Sequence, residues 1–346
     1  MSTMTYRDAI NAALAEEMAR DPRVLVTGED VAGGASVEGF ERVGAWGGVF
    51  GVTHGLVERF GRDRVIDTPI SESAYIGCAV GAAGYGYRTV AELQFLDFMG
   101  VCLDQIVNQA AKLTYVRGGT GPGLPIVIRA MIGAGVRSAA QQGQSPYSTL
   151  AHFPGLKVVT PFTPADAKGL MLAAIRDADP VIFLEHKLLF DTTGEVPDGD
   201  APVPIGRAAV RRAGADVTIV AIARMVSVAL DAATELVGRG VDAEVLDLRT
   251  IAPLDLPAVL ASVRRTGRLV VVDEDTPRCS VASDLVALVC SRAFDALRAA
   301  PAMVSPPHIP LPFAPALEDA YLPGVRDVVD AVTALMPAGD PVAGAR

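Results

Sequence analysis

The chain is poor in the residues from which metal centres, disulfide frameworks and nucleic-acid surfaces are built. It has four cysteines, Cys78, Cys102, Cys279 and Cys290, and four histidines, His54, His152, His186 and His308, among 346 residues. No two cysteines form a C-x-x-C pair. They read as small buried residues of a reduced compartment rather than disulfide partners or zinc ligands. The histidines show no H-E-x-x-H or related spacing, so a metal enzyme is short of ligands. Asp and Glu number 40 against 30 Lys and Arg, a net charge of −10. Neutralising phosphates needs clustered basic residues, so a nucleic-acid partner is disfavoured. The acidic balance reads instead as solubility. No apolar run is long enough to span a bilayer. The opening "MSTMTYRDAINAALAEEMARDP" reads as an amphipathic helix without a signal peptide's apolar core, and a cytoplasmic location is expected. A G-x-x-x-x-G-K-[ST] phosphate loop is also missing. "GAAGYG" (81–86) lies inside an apolar helical run, where its glycines are expected to allow close helix packing. "RGGTGPGLP" (117–125) does not open a helix, so its anion-site signal is weak.

What is present is an α/β rhythm. Half the residues are hydrophobic, and the chain is longer than one core usually serves, so two domains are expected. "RVLVTGED", "RVIDTP", "RTVAELQF", "PIVIRAM", "LKVV" and "PVIFLEH" read as strands. Helical segments such as "ESAYIGCAVGAAGYG" and "MGVCLDQIVNQAAKLTYV" lie between them. This alternation predicts a parallel sheet with helices on both faces. The Pro-, Gly- and Asp-rich stretch 191–204, "DTTGEVPDGDAPVP", reads as an interdomain linker. The rhythm restarts beyond it with "DVTIVAIA", "DAEVLDLR" and "RLVVVDED" as strands. The tail "PPHIPLPFAPALEDAYLPG" is expected to be extended, "GVRDVVDAVTALM" to be a closing helix, and 339–346 to be disordered. The expected division is therefore a domain over 1–190, the linker 191–204 and a second domain over 205–338.

Ligands of open α/β sheets collect at the C-terminal ends of the strands. Three stretches at such ends stand out. In "DTPISESAYIG", Glu72 stands at the start of a helix that follows a strand. It reads either as a carboxylate complementing the helix dipole or as one held in a cleft and suited to proton transfer. In "ELQFLDFMG", Phe95 and Phe98 follow a strand and read as core residues or as a stacking platform. The third stretch is the polar loop "AAQQGQSP" (139–146), punctuated by Gly143 and Pro146.

Six stretches taken in order identify a resemblance. "GGVFGVTHGL", "RVIDTPISESAYIGCAVGAA", "FMGVCLDQIVNQAAK", "PGLKVVTP", "DPVIFLEHK" and "LVVVDEDTPRCSVASD" together resemble the β subunits of thiamine-diphosphate-dependent 2-oxoacid dehydrogenase E1 components. The likeness is nearest to the acetoin dehydrogenase β subunits and runs from about residue 4 to about 335. It implies two three-layer α/β/α domains, a pyrimidine-binding domain and a transketolase-type C-terminal domain. It also implies an α2β2 assembly in which the α chain holds the diphosphate and Mg²⁺ through a GDG…N motif. This sequence has "PDGDAP" but no GDG leading to such an asparagine. By the resemblance, Glu72 hydrogen-bonds the pyrimidine ring of thiamine diphosphate and favours its imino tautomer, while the cofactor supplies the carbanion and the electron sink. Phe98 falls where the family places an aromatic ring against the pyrimidine. A structural K⁺ site built largely of backbone carbonyls matches Ile126, Ala174, Ile175, Asp177 and Asp179.

The family pattern Q-H-S-Q reads here as Gln141-Gln142-Gly143-Gln144. In relatives that histidine assists proton movement when the acyl group passes to lipoamide. Gln142 can hydrogen-bond but cannot carry a proton near neutral pH. The departure bears on lipoyl transfer and on the substrate, and leaves cofactor binding untouched. The expectation is thus a subunit that cleaves acetoin or a 2-oxoacid and passes the acyl unit to a lipoyl-bearing E2. A carboligase or acyl transferase without a lipoyl carrier, and a non-catalytic scaffold for the α chain, stand as alternatives.

Overall fold

The computed structural model describes residues 1–33, 46–121 and 123–336. The tail 339–346 lies outside the described residues. The chain divides into two compact units, one of residues 1–132 with 149–205 and the other of residues 133–148 with 206–346. The polar loop 139–146 therefore groups with the second unit, although it lies within the stretch 1–190.

The first unit contains β1 (Ser2–Thr5), β2 (Val24–Gly28), β3 (Val65–Asp67), β4 (Arg88–Phe95), β5 (Ile126–Ile132), β6 (Lys157–Val159), β7 (Val181–His186) and β8 (Thr193–Val196). Strands β2 to β7 are parallel neighbours in the order β6-β7-β5-β4-β2-β3. β5 and β7 are buried along their whole length, and β4 beyond its first residue. Burial on both faces is why these strands read as near-continuous apolar runs. Helices Tyr6–Arg20 and Pro164–Arg176 pack together. The hydroxyls of Thr5 and Thr163 accept the N–H of Asp8 and Asp166, each at 3.1 Å, and Pro164 opens its helix. A cap contributes about 1 kcal/mol. Each fully buried large apolar side chain contributes about 1.5–3 kcal/mol. Ile10, Leu14 and Met18, all buried, therefore outweigh the cap in seating the first helix.

The second unit contains β9 (Ala209–Arg212), β10 (Val217–Ala221), β11 (Ala243–Asp247), β12 (Thr250–Ala252), β13 (Leu269–Val272) and β14 (Ala302–Val304). Its sheet runs β14-β13-β10-β11-β9, parallel except where β9 meets β11. Both units are α/β, as the rhythm predicts.

Four local expectations change. The stretch 191–204 is not uniformly linker-like, because β8 lies in it and pairs antiparallel with β1. The segment 99–116 is not one helix. It runs as a helix over Met99–Asp104, a π-helical turn over Gln105–Ala110 and a short helix over Leu113–Val116. The tail contains a helix, Pro315–Tyr321, opened by its own proline. Within helix Glu72–Gly84 the tightest approach falls at Gly77, while in "GAAGYG" a Cβ on Gly84 would meet Arg117 at 3.5 Å and Leu113 at 3.9 Å, ordinary contact distances. A Cβ on Gly77 would stand 3.1 Å from Oε1 of Gln105 on the π-helical turn, whereas Gly81 faces open space.

Candidate functional site

Parallel strands place their C-terminal ends along one edge of the first unit's sheet. Glu72 is the first residue of helix Glu72–Gly84, which follows β3. Its side chain is half-buried. Ser71, the residue before the helix, provides no side-chain cap. Glu72 acts electrostatically on three neighbours. Burial, reinforced by Glu72, pushes the Cys102 thiol up to about 12. The Tyr75 hydroxyl is raised by the same two causes in the same order. Glu29 is raised first by burial, then by Asp30, Glu72 and Glu92. Carboxylates from the end of β2, the start of a helix and the middle of β4 thus converge on one region. Among the described residues the side chain of Glu72 makes no hydrogen bond. A hydrogen-bond donor carrying a proton, such as a ring nitrogen, relieves the mutual repulsion in such a place. The residues present therefore fit the pyrimidine end of the cofactor.

Beneath this region lies an ion triad that sequence reading missed. Glu92 on β4, Arg129 on β5 and Glu185 on β7 are buried side by side. Arg129 donates to Glu92 at 2.6 Å and to the two oxygens of Glu185 at 2.6 and 2.8 Å. Burial alone would lower the guanidinium, but Glu185 and Glu92 outweigh it and hold its pKa above the ordinary value. Burial raises Glu185, and Arg129 pulls it back. Each member is a charge inside an otherwise apolar strand run, "VAELQF", "IVIRAM" or "IFLEH", and that was the available signal. Breaking a buried pair from one side typically costs about 3–5 kcal/mol, because a charge is left uncompensated. Arg129→Met strands two carboxylates and is expected to lose at least that much in a urea unfolding curve. A loss below about 1 kcal/mol, the ordinary value for exposed pairs, would mean that the triad is not closed as described.

Phe98 is half-buried and packs on the first core. Its ring meets Phe95 edge-on with centroids 5.5 Å apart, and Phe95 meets Phe50 edge-on at 5.9 Å. Nζ of Lys187 stands 5.2 Å from the Phe95 centroid. Phe95 is thus enclosed, while Phe98 keeps part of its ring exposed.

The five candidate cation positions lie around the end of helix Pro164–Arg176 and the start of β5. The carbonyls of Ile175 and Asp177 converge on one cationic centre, and that centre is the Arg88 guanidinium, at 2.8 and 3.1 Å. The Ala174 carbonyl accepts the Asp177 N–H at 3.3 Å. Lys157 binds the Asp177 carboxylate at 2.7 and 2.8 Å and the Asp179 carboxylate at 3.1 Å. Ile126 opens β5 with its N–H on the Leu124 carbonyl at 2.9 Å. Arg88 thus engages the carbonyls of Ile175 and Asp177, and Lys157 the carboxylates of Asp177 and Asp179. Among the described residues, no group of three or more His, Cys, Asp or Glu side chains could hold a metal ion.

Gln142 lies in the second unit and is half-buried. Its N–H reaches the Ala139 carbonyl at 3.3 Å, and its carbonyl accepts the Ser138 hydroxyl at 2.9 Å. Of the two histidines nearest in sequence, His152 is exposed. His186 is buried at the end of β7, where its Nδ1 accepts the Leu188 N–H at 3.2 Å.

The comparisons with known proteins decide the family. Residues 2–192 match the transketolase pyrimidine-binding domain, and residues 206–328 match the transketolase C-terminal domain. The chain is 54% identical over 336 residues to the β subunit of acetoin:2,6-dichlorophenolindophenol oxidoreductase of Cupriavidus necator, covering 97% of this chain and 98% of that protein. The chain belongs to the β subunits of acetoin and 2-oxoacid dehydrogenase E1 components. A second acetoin:2,6-dichlorophenolindophenol oxidoreductase β subunit, from Bacillus subtilis, is 50% identical over 98% of both chains. The 2-oxoisovalerate dehydrogenase β subunit of Bacillus subtilis is 45% identical over 93% of this chain and 95% of that one. A solved structure described as a split-gene transketolase, inactive β4 tetramer, superposes with a TM-score of 0.75. It covers 96% of this chain and 98% of its own at 23% identity. At that identity it supports the fold alone.

Proposed function

We propose that this chain is the pyrimidine-holding half of a thiamine-diphosphate-dependent enzyme that cleaves acetoin or a 2-oxoacid. The observation that carries the reading is end-to-end identity of 54% and 50% with two acetoin oxidoreductase β subunits. The cofactor is shared with an α chain, which holds its diphosphate and Mg²⁺, in an α2β2 assembly in the cytoplasm. When bound, thiamine diphosphate supplies the carbon nucleophile and the electron sink. Glu72 takes a hydrogen bond from the ring nitrogen of the pyrimidine and holds the proton there. The Glu92–Arg129–Glu185 triad ties β4, β5 and β7 together. Phe98 offers a ring face for the pyrimidine to pack against. A structural K⁺ would have to share the Ile175 and Asp177 carbonyls with the Arg88 guanidinium.

The partner has a surface to cover. Ile70, Tyr85, Val101, Tyr115 and Val116 are large apolar residues of the first unit that remain more than half exposed. An apolar cleft of about 390 Å³, lined in part by Ile66, Pro69, Tyr75 and Cys78, opens in the same unit. These residues and this cleft are the apolar surface that the reading assigns to the α chain. No described helix is long and apolar enough to cross a membrane.

The test is turnover with an artificial electron acceptor by the chain alone, by its α partner alone and by the two mixed, with acetoin, pyruvate and branched-chain 2-oxoacids as substrates. Thiamine-dependent turnover is expected only in the mixture, with acetoin fastest. Turnover by the purified chain alone would sink the reading.

A further inference from the structure

Segment 133–148 carries an arrangement that the cofactor chemistry does not use. It leaves β5 and returns towards Thr149, yet it is fastened at both ends to the second unit. At its start the N–H of Ala134 donates to Glu274 at 2.7 Å, and the N–H of Gly135 to Glu318 at 2.6 Å. Arg137 donates to Glu318 at 2.7 Å and to Asp319 at 2.6 Å. At its far end the Tyr147 hydroxyl donates to Asp273, and the Ser148 hydroxyl to Asp275 at 2.5 Å. The two ends are also joined, since the Gly133 N–H reaches the Gln144 carbonyl at 3.4 Å. Tyr147, Asp273 and Glu318 are almost completely buried, and Glu274 and Asp275 nearly so.

Three features separate this arrangement from an ordinary surface loop. First, carboxylates are costly to bury, and only one basic side chain of the segment, Arg137, meets them. The other donors include backbone N–H groups, fixed in position and direction, and the Tyr147 and Ser148 hydroxyls. Burial pushes Asp273 up to about 7, while the Tyr147 hydroxyl and the N–H groups of Asp275 and Ala282 draw it back. Second, Arg137 and Ala139 both adopt left-handed backbone, with φ of 60° and 63°. Residues with a Cβ avoid that region unless their surroundings impose it. Third, a Cβ on Gly143, the residue after Gln142, would stand 2.4 Å from Cδ2 of Leu311. The second unit therefore determines the shape of the segment on both sides of Gln142.

We propose that Tyr147, Ser148, Asp273, Glu274, Asp275 and Glu318 are positioning residues that hold segment 133–148 in the one shape that presents Gln142 to the acceptor step. The inference rests on the enzyme reading, with the family likeness at Gln141–Gln144, only for what Gln142 does. The clip itself is a property of the second unit. Loosening it frees the segment and slows transfer to the acceptor, while the earlier step at the cofactor, which depends on Glu72, continues.

The experiment uses the assembled two-chain enzyme with Tyr147→Phe, which removes one hydroxyl and keeps the ring, and with Ser148→Ala as a milder second variant. Arg137 is the only Lys or Arg between Arg129 and Lys157, so tryptic cleavage after it reports opening of the segment without any need for turnover. In Tyr147→Phe, cleavage at Arg137 should accelerate at least about tenfold, in line with a larger open population. Single-turnover acylation of a lipoyl acceptor should fall by a similar factor, with reduction of an artificial acceptor and KM for acetoin little changed. Proton exchange at the reacting carbon of bound thiamine diphosphate should stay within about twofold of wild type, since Glu72 and the triad are untouched. Ser148→Ala should move the same way by less. Unchanged cleavage in both variants overturns the clip, whether or not the enzyme reading stands. Exchange and lipoyl acylation falling together, with a lower melting temperature, overturns the positioning role. An assembly with no thiamine-dependent turnover in wild type contradicts the enzyme reading, and cleavage then still decides the clip.

Discussion

Glu72→Gln leaves the two-chain assembly intact and slows its turnover by about 10²–10⁴-fold, the range typical of a lost proton-transfer group. The substitution keeps the size of the side chain and its ability to accept a hydrogen bond. It removes the negative charge that favours a proton on the bound ring nitrogen. Nothing described in the fold depends on that charge, because the side chain of Glu72 makes no hydrogen bond among the described residues and its helix is seated by buried Tyr75, Ile76, Ala79 and Val80. Loss of one carboxylate from a crowded acidic region also relieves repulsion on Glu29, so the variant should be no less stable than wild type. Melting temperature and steady-state acceptor reduction, measured on the same preparation, separate the two effects. Turnover within threefold of wild type would reduce Glu72 to a helix-end carboxylate.

The second large effect is expected at Gln142. Steps before acyl transfer depend on the cofactor and on Glu72, both retained. The step that uses lipoamide depends, by family likeness, on an ionisable group where Gln142 stands. Glutamine supplies hydrogen bonds but no proton near neutral pH. The wild-type assembly should therefore reduce an artificial acceptor well and acylate lipoyl groups poorly. Gln142→His should raise single-turnover lipoyl acylation by at least about tenfold, the low side of general acid–base help, with dye reduction little changed. The fixed shape of the segment, with Gly143 against Leu311, favours an imidazole entering at the same place. If wild type already acylates a lipoyl domain as fast as it reduces the dye, Gln142 is no impediment. His186, buried at the end of β7, would then be the next side chain to replace.

Much of this was legible in the sequence, for reasons that differ by element. The buried parallel strands announce themselves because both faces must be apolar, so "VAELQF", "IVIRAM" and "VIFLEH" could hardly be anything else. Glu72 was visible as an acidic residue opening a helix directly after a strand. The triad was half visible. Glu92, Arg129 and Glu185 are lone charges in apolar strands, but their pairing needs the order β4-β5-β7 and its register, which tertiary contacts fix. The clip was not visible at all. Glu274 and Glu318 reach Ala134 and Gly135 across 140 and 183 residues of sequence, and no local pattern in "GAGVRSAAQQGQSPYS" says which unit it joins. Short edge strands were missed for a similar reason. β8, β9 and β14 have only three or four residues each, too few to show a period. The π-helical turn at Gln105–Ala110 escaped because its apolar spacing still looks helical, and one extra residue per turn leaves almost no trace in composition.

The most direct test of the account follows the hydrogen on the reacting carbon of thiamine diphosphate bound to the assembled enzyme, by quenched deuterium exchange without substrate or acceptor. This isolates the step assigned to Glu72 from anything that happens at Gln142. The account predicts rapid exchange in wild type, exchange slowed by about 10²-fold or more in Glu72→Gln, and near-wild-type exchange in Gln142→His. Exchange in Glu72→Gln at the wild-type rate, with cofactor fully bound, would contradict it.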